Sequence, residues 1–171
     1  MEARDHEKNA AHILRGPKEG KSVSLGGIGV VFKLSGNDTG GAFSIVEHPI
    51  RPKALVPPHM HANVDEFSFV VKGKVGARIG DQVLVGGPGS YILKPRNIPH
   101  TFWNPGQTMA RLVEIISPPG FENFFDEASS LFQGVPDPGK IKELAARYHT
   151  TLGWDEWVPE LTKKYKLKLF G

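Results

Sequence analysis

The stretch His59-Met60-His61-Ala62-Asn63-Val64-Asp65-Glu66-Phe67-Ser68-Phe69-Val70-Val71-Lys72-Gly73 decides how this chain is read. Two histidines two residues apart share one side of an extended segment, because side chains repeat every two residues along a strand. Pro57-Pro58 just upstream restricts the backbone entering that segment and removes two donors. After a short turn over Ala62–Asp65, Glu66 opens the next strand, which runs to Gly73. A third histidine, His100, comes from a distant strand, with Phe102 and Asn104 on its face. Three imidazoles and one carboxylate form a borderline donor set that suits Fe, Mn, Co, Ni, Cu or Zn. One sheet closing on itself, or two facing sheets, can point all four inward and leave coordination positions open on a bound ion.

Outward from this stretch the pattern is short β-branched or aromatic runs broken by turn formers. Strands are expected near Val23–Leu34, Ala42–Ile50, Ala54–Val56, Glu66–Lys72, Lys74–Ile79, Gln82–Val85, Ser90–Leu93, His100–Asn104 and Met109–Ile116. Gly80-Asp81 suits a two-residue hairpin turn, since glycine tolerates a positive φ. The cadence argues for an all-β sandwich or barrel. Twenty glycines and fourteen prolines, without a collagen-like period, favour the same reading.

After Pro118-Pro119 the period changes. Phe121, Phe124, Phe125, Ala128 and Phe132 fall at helical spacing. Asp137 as cap, Pro138 at the first position, and Ile141, Leu144, Ala145 and Tyr148 on one face predict a second helix. Trp154, Trp157 and Leu161 suggest a third, with Pro159 near its start. The expected organisation is an arm over 1–20, a β-barrel domain over 21–119 and a C-terminal helical extension over 120–171.

With no cysteine, disulfides and thiolate metal sites are excluded. The amino terminus is charged from its second residue, and no stretch approaches the length needed to span a bilayer. A cytoplasmic protein with no membrane partner is expected. The net charge of +3 is concentrated in Lys163, Lys164, Lys166 and Lys168, which read as a solvated surface. No basic stripe interleaved with aromatics points to nucleic acid.

The motifs resemble those of the cupin superfamily. Its first motif, G-x5-H-x-H-x(3,4)-E-x6-G, is matched by His59, His61, Glu66 and Gly73, with Lys53 in place of the leading glycine. Its second, G-x5-P-x-G-x2-H-x3-N, is matched by Gly89, Pro95, His100 and Asn104, with Asn97 replacing the middle glycine. The resemblance implies a double-stranded β-helix, the cupin or jelly-roll barrel. It also implies one divalent transition metal ion held by His59, His61, Glu66 and His100. Asp65 should face away from Glu66. His48, Arg51, Arg78 and Arg111 read as packed or surface residues, and His6, His12 and His149 as solvated.

Strand parity sets Ser68 and Val70 beside Glu66, and Phe102 beside His100, as the expected substrate pocket; no inward cluster of charge is expected there. The chain is similar to small single-domain cupins of the quercetin dioxygenase-like group, including Ser117-Pro118-Pro119-Gly120-Phe121-Glu122-Asn123-Phe124-Phe125 after the barrel. That likeness implies a dioxygenase acting on a small enolisable or aromatic substrate, with Glu66 as ligand and proton acceptor. Two other readings stay open: a metal-assisted isomerase, cyclase or lyase without oxygen chemistry, and a non-catalytic small-ligand-binding module. Pairing through sheet edges predicts a homodimer.

Overall fold

The computed structural model describes residues 13–171, so His6, His12 and most of the expected arm lie outside the described residues. In chain order the strands are β1 (Ser22–Leu25), β2 (Ile28–Leu34), β3 (Ser44–Ile50), β4 (Ala54–Leu55), β5 (His59–His61) and β6 (Asp65–Lys72). Next come β7 (Val75–Ile79), β8 (Gln82–Gly86), β9 (Tyr91–Lys94), β10 (His100–Trp103) and β11 (Ala110–Ser117). The remainder holds α1 (Glu122–Ser129), a 3-10 turn (Ser130–Phe132), α2 (Pro138–Arg147), β12 (Thr150–Leu152), α3 (Trp157–Tyr165) and β13 (Lys168–Leu169). They form two sheets. One is six-stranded in the order β1-β2-β3-β11-β6-β9; the other, seven-stranded, runs β12-β5-β10-β4-β13, with β7 joined to β10 and β8 to β7. This is a jelly-roll-like β-sandwich with a helical C-terminal region.

Alternation fixes which side chains face the interior. On β3 these are Ser44, Val46, His48 and Ile50; on β11 they are Ala110, Leu112, Glu114 and Ile116. Glu66, Ser68 and Val70 of β6 and Ile92 and Lys94 of β9 share that face. Strand β10 is buried on both faces. His100 and Phe102 point inward, while Trp103 packs outward with Leu55 against Trp157, Leu161 and Leu167, so α3 covers the outside of the second sheet. Helices α1 and α2 close one end of the sandwich, where Phe121, Phe125 and Leu144 join Val30, Val46 and Ile116. Asp137 caps α2 by accepting from Gly139 N at 2.8 Å, with Pro138 in the first turn as expected.

Three local features differ from the sequence pattern for identifiable reasons. The single strand expected over Val23–Leu34 is a hairpin, because Gly26 takes a φ of +67° and turns the chain between β1 and β2. Strands β12 and β13 lie in the tail expected to be helical; they exist by pairing with β5 and β4 rather than through local propensity. Lys53 and Asn97, which stand where glycines were expected, keep the glycine conformation at φ +66° and +61°. The turn geometry survives both replacements. The Gly80-Asp81 turn joins Ile79 to Gln82 across the β7–β8 pair, as read from the sequence.

Candidate metal centre

Strand pairing brings the four expected residues together. His100 of β10 lies opposite His59 of β5 in the antiparallel register, and His61 follows two residues on. Glu66 reaches them from β6 in the other sheet, so the cluster bridges the two layers. All four are buried, and one donor atom from each lies within 4.8 Å of every other. Glu66 Oε1 is 3.3 Å from His61 Nε2, and Oε2 is 3.3 Å from His100 Nε2.

The hydrogen bonds around the rings decide their chemical state. His59 Nδ1 donates to Pro57 O at 2.8 Å, and His100 Nδ1 donates to Ile98 O at 3.1 Å. A carbonyl can only accept, so both rings carry their proton on Nδ1. His61 Nδ1 lies 2.8 Å from Thr150 Oγ1, whose own proton goes to Tyr148 O at 3.2 Å. That hydroxyl is therefore an acceptor for His61, and the third ring is fixed in the same tautomer. Each Nε2 is left with a lone pair aimed at the cluster. Burial, reinforced by the neighbouring His100 and His61, pushes the His59 imidazolium well below the ordinary histidine range and keeps the ring neutral.

Nε2 of His61 and Nε2 of His100 are buried without a hydrogen-bond partner. Orphans of this kind cost about 1–3 kcal/mol each. A metal ion satisfies both of them at once, and neutral imidazoles with outer nitrogens tied to oxygen acceptors are the form in which histidine binds metals. The donor set fits a first-row divalent ion.

Glu66 has a second neighbour that the sequence pattern did not reveal. Lys94 stands opposite it across the β6–β9 pair and is wholly buried, with Nζ 2.8 Å from Glu66 Oε2. The same ammonium contacts Glu114 Oε1, which also accepts from Ser68 Oγ at 2.8 Å. Burial opposes the ionisation of Glu66, but the Lys94 ammonium outweighs it and holds the carboxyl well below its usual range. For Lys94, burial is likewise outweighed by Glu114 and Glu66, and its pKa is raised. Burial and the Glu66 charge push Glu114 up; the Lys94 ammonium overcomes them, and the net shift is downward.

The expectation that no charge cluster faces inward is therefore corrected. Lys94 shares parity with Ile92, and Glu114 with Leu112 and Ile116, so alternation itself marked both as inward. Their charge suggested the surface. They are tolerated inside because each carries its counter-charge with it.

Beside the cluster lies an apolar cavity of about 80 Å³. His59 forms part of its wall, as do Phe102, Phe121, Phe125, Phe132 and His48. Of the expected pocket residues, Phe102 lines the cavity. Ser68 is turned to Glu114, and Val70 packs in the core with Ile50 and Leu112. His48, read as a packed or surface residue, is 1% exposed and borders the cavity with Glu114. Phe121, from the tail, sits edge-on to His61 with ring centroids 4.1 Å apart. Asp65 faces outward, as its parity requires, and pairs with Arg96 at 2.7 Å. Arg78 and Arg111 pair with Glu160 and Glu47, while Arg51 and His149 are exposed.

Comparison with known proteins agrees with this geometry. A family model described as "Cupin domain" matches residues 47–116, a span holding all four candidate ligands. KdgF from Halomonas sp. is similar at 16% identity and TM-score 0.58, over 66% of this chain and 99% of that one. The polyketide cyclase RemF from Streptomyces resistomycificus is 21% identical, with TM-score 0.55 over 62% and 79% of the two chains. A cupin-superfamily sugar phosphate isomerase from Silicibacter pomeroyi is 17% identical, with TM-score 0.54 over 61% and 74%. At these identities the likeness is one of fold. No curated protein matches the sequence. Thr150 and Phe121 lie outside the matched residues, yet both touch His61. No helix among the described residues is long and apolar enough to cross a membrane.

Proposed function

We propose that the protein is a metal-dependent enzyme acting on a small enolisable or aromatic substrate, with quercetinase-like dioxygenase chemistry as its reaction. The observation that carries this reading is the set of three rings tied at Nδ1 and bare at Nε2, next to an aromatic-walled cavity that reaches His59. A bound ion supplies a Lewis-acid position and, if redox-active, a path for electrons between substrate and dioxygen. His59, His61 and His100 hold it as neutral donors, and Glu66 contributes the one negative charge. The resulting positive site draws an enolate or phenolate oxygen. Phe121 and Phe125 keep water from the wall.

Glu66 acts better as a ligand than as a proton acceptor, because the Lys94 ammonium beside it favours its ionised form. Cavity size sets the scale of the substrate. About 80 Å³ is roughly half the ~150 Å³ that accommodates benzene. A substrate with one small ring, admitted as the half-buried Phe124 and Phe132 swing aside, suits this site better than a flavonol.

One observation favours a second reading, a metal-assisted isomerase, cyclase or lyase. The cavity wall holds His48 and Glu114, an acid–base pair of the sort proton transfer requires. Elemental analysis of protein purified without chelators, followed by an oxygen-electrode screen of small enolisable aromatics, separates the readings. Stoichiometric first-row metal and substrate-dependent oxygen uptake are expected. Full anaerobic turnover with a redox-inactive ion would select the second reading, and failure to retain any metal after reconstitution would sink both.

We further propose a homodimer. It is supported by the outward apolar residues Phe67, Tyr91 and Leu93 on β6 and the edge strand β9. Light scattering on a sized sample should give twice the chain mass; a clean monomer would defeat it.

A further inference from the structure

Two polar atoms at the cavity are left unused by the framework, and they are neighbours. His48 on β3 and Glu114 on β11 both point inward, on adjacent paired strands. His48 Nδ1 donates to Gly29 O at 3.0 Å, so the ring's proton is on that nitrogen and Nε2 offers a lone pair. Nε2 lies 3.1 Å from Glu114 Oε2 but off the line of a hydrogen bond, and it has no partner. The other Glu114 oxygen is fully engaged, by Ser68 Oγ and by Lys94 Nζ.

A lone pair and a carboxylate oxygen held side by side in an apolar wall repel one another, and a donor placed between them relieves both. Phe102 and Phe125 pack on the His48 ring at centroid distances of 5.9 and 5.3 Å, and neither carries a donor. Lys94 is the charged group closest to Glu114, and it is held on the far oxygen.

We infer that the cavity binds a neutral molecule with an apolar body and a single hydroxyl, and that His48 Nε2 and Glu114 Oε2 receive that hydroxyl. The rest of the surroundings select the class. An anionic head group would meet the Glu114 carboxylate, and a cation would surrender its hydration among phenylalanine rings. A hydroxyl supplies the missing proton at little desolvation cost, and the phenylalanines accept the apolar body. The lining also includes His59, so such a molecule shares its cavity with one of the candidate metal ligands. That this ligand is the substrate rests on the enzyme reading above; the binding itself needs no ion.

Phenol and toluene, matched in heavy-atom number, test the inference by calorimetric titration of chelator-treated and metal-reconstituted protein. Phenol should bind about tenfold or more tightly than toluene in both preparations, as expected for a buried hydrogen bond to a charged acceptor. His48→Leu should reduce the preference severalfold, because only Glu114 then remains to receive the hydroxyl. Glu114→Gln should also reduce it, because the amide can donate to Nε2 in place of the ligand; circular dichroism and thermal melts identify a variant that has failed to fold. Equal binding of phenol and toluene, no binding of either, or an unchanged ratio in a folded His48→Leu protein would overturn the inference. Absence of metal uptake would count against the enzyme reading alone, since the phenol preference is read without it.

Discussion

The segment 47–116 and the tail beyond it contribute to the same centre in different ways. The segment supplies all four candidate donors and part of the cavity wall; the tail supplies no donor, yet holds one of them and completes the wall. Thr150 pairs opposite His61 in the β12–β5 register and fixes that ring through its hydroxyl. Phe121, Phe125 and Phe132 turn what would be an open mouth into an apolar chamber. The four candidate donors thus belong to the sandwich, whereas the orientation of one of them and part of the cavity wall depend on a segment that the family pattern does not cover.

The comparison can be broken most severely on the sandwich side. His61→Ala should lose nearly all bound metal while the β-sheet signal in circular dichroism persists, because the donor is removed and the surrounding strands are not. Stoichiometric metal in that variant would contradict the ligand assignment. Next in size is the joint between the two regions. A Cβ at Gly76 would collide with the Trp103 indole, which ties β10 to α3, so Gly76→Ala should lower stability by about 1–3 kcal/mol in denaturant melts. An unchanged midpoint would mean the indole moves freely.

A third test sharpens the claim for the tail. Thr150→Val removes the acceptor for His61 Nδ1 at nearly constant volume, and metal affinity against a competing chelator should fall about 10- to 100-fold. Thr150→Ser should restore most of it, an outcome that a merely structural role for the β12 strand would not produce.

The smallest effect lies on the outside of β6. Hydrogen bonding to Arg96 lowers the Asp65 pKa, so its folded value lies below its unfolded one. The stabilisation is present above the unfolded value and disappears as pH falls through the folded value. The melting temperature of Asp65→Asn should therefore sit slightly below that of the native protein near neutrality and converge with it in acid. Because the pair is partly exposed, the gap is small. A gap that widens in acid would reverse the assignment.

What the sequence disclosed follows the same division. Period-two alternation put His59 and His61 on one side of a strand, and the resemblance to the cupin motifs added Glu66 and His100 to them. The Asp137 cap of α2 and the apolar spacing of all three helices were equally local signals. Lys94 and Glu114 had inward parity but were charged, and charge was taken as a mark of the surface; only their mutual neutralisation, a product of the β6–β9 and β6–β11 registers, makes the interior tolerable. His48 carried parity without a partner in sequence, because its partner stands sixty-odd positions away on β11. Thr150 gave no signal at all. Its role comes from a three-residue strand that exists only where it meets β5.

X-ray absorption at the metal edge, on protein purified without chelators, tests the central claim most directly. It should reveal one first-row ion whose shell at about 2.0–2.2 Å contains three imidazole nitrogens and a carboxylate oxygen, with the imidazole scattering reduced by one ring in His100→Ala. A metal surrounded by oxygen alone, or a spectrum that is the same in that variant, would contradict it.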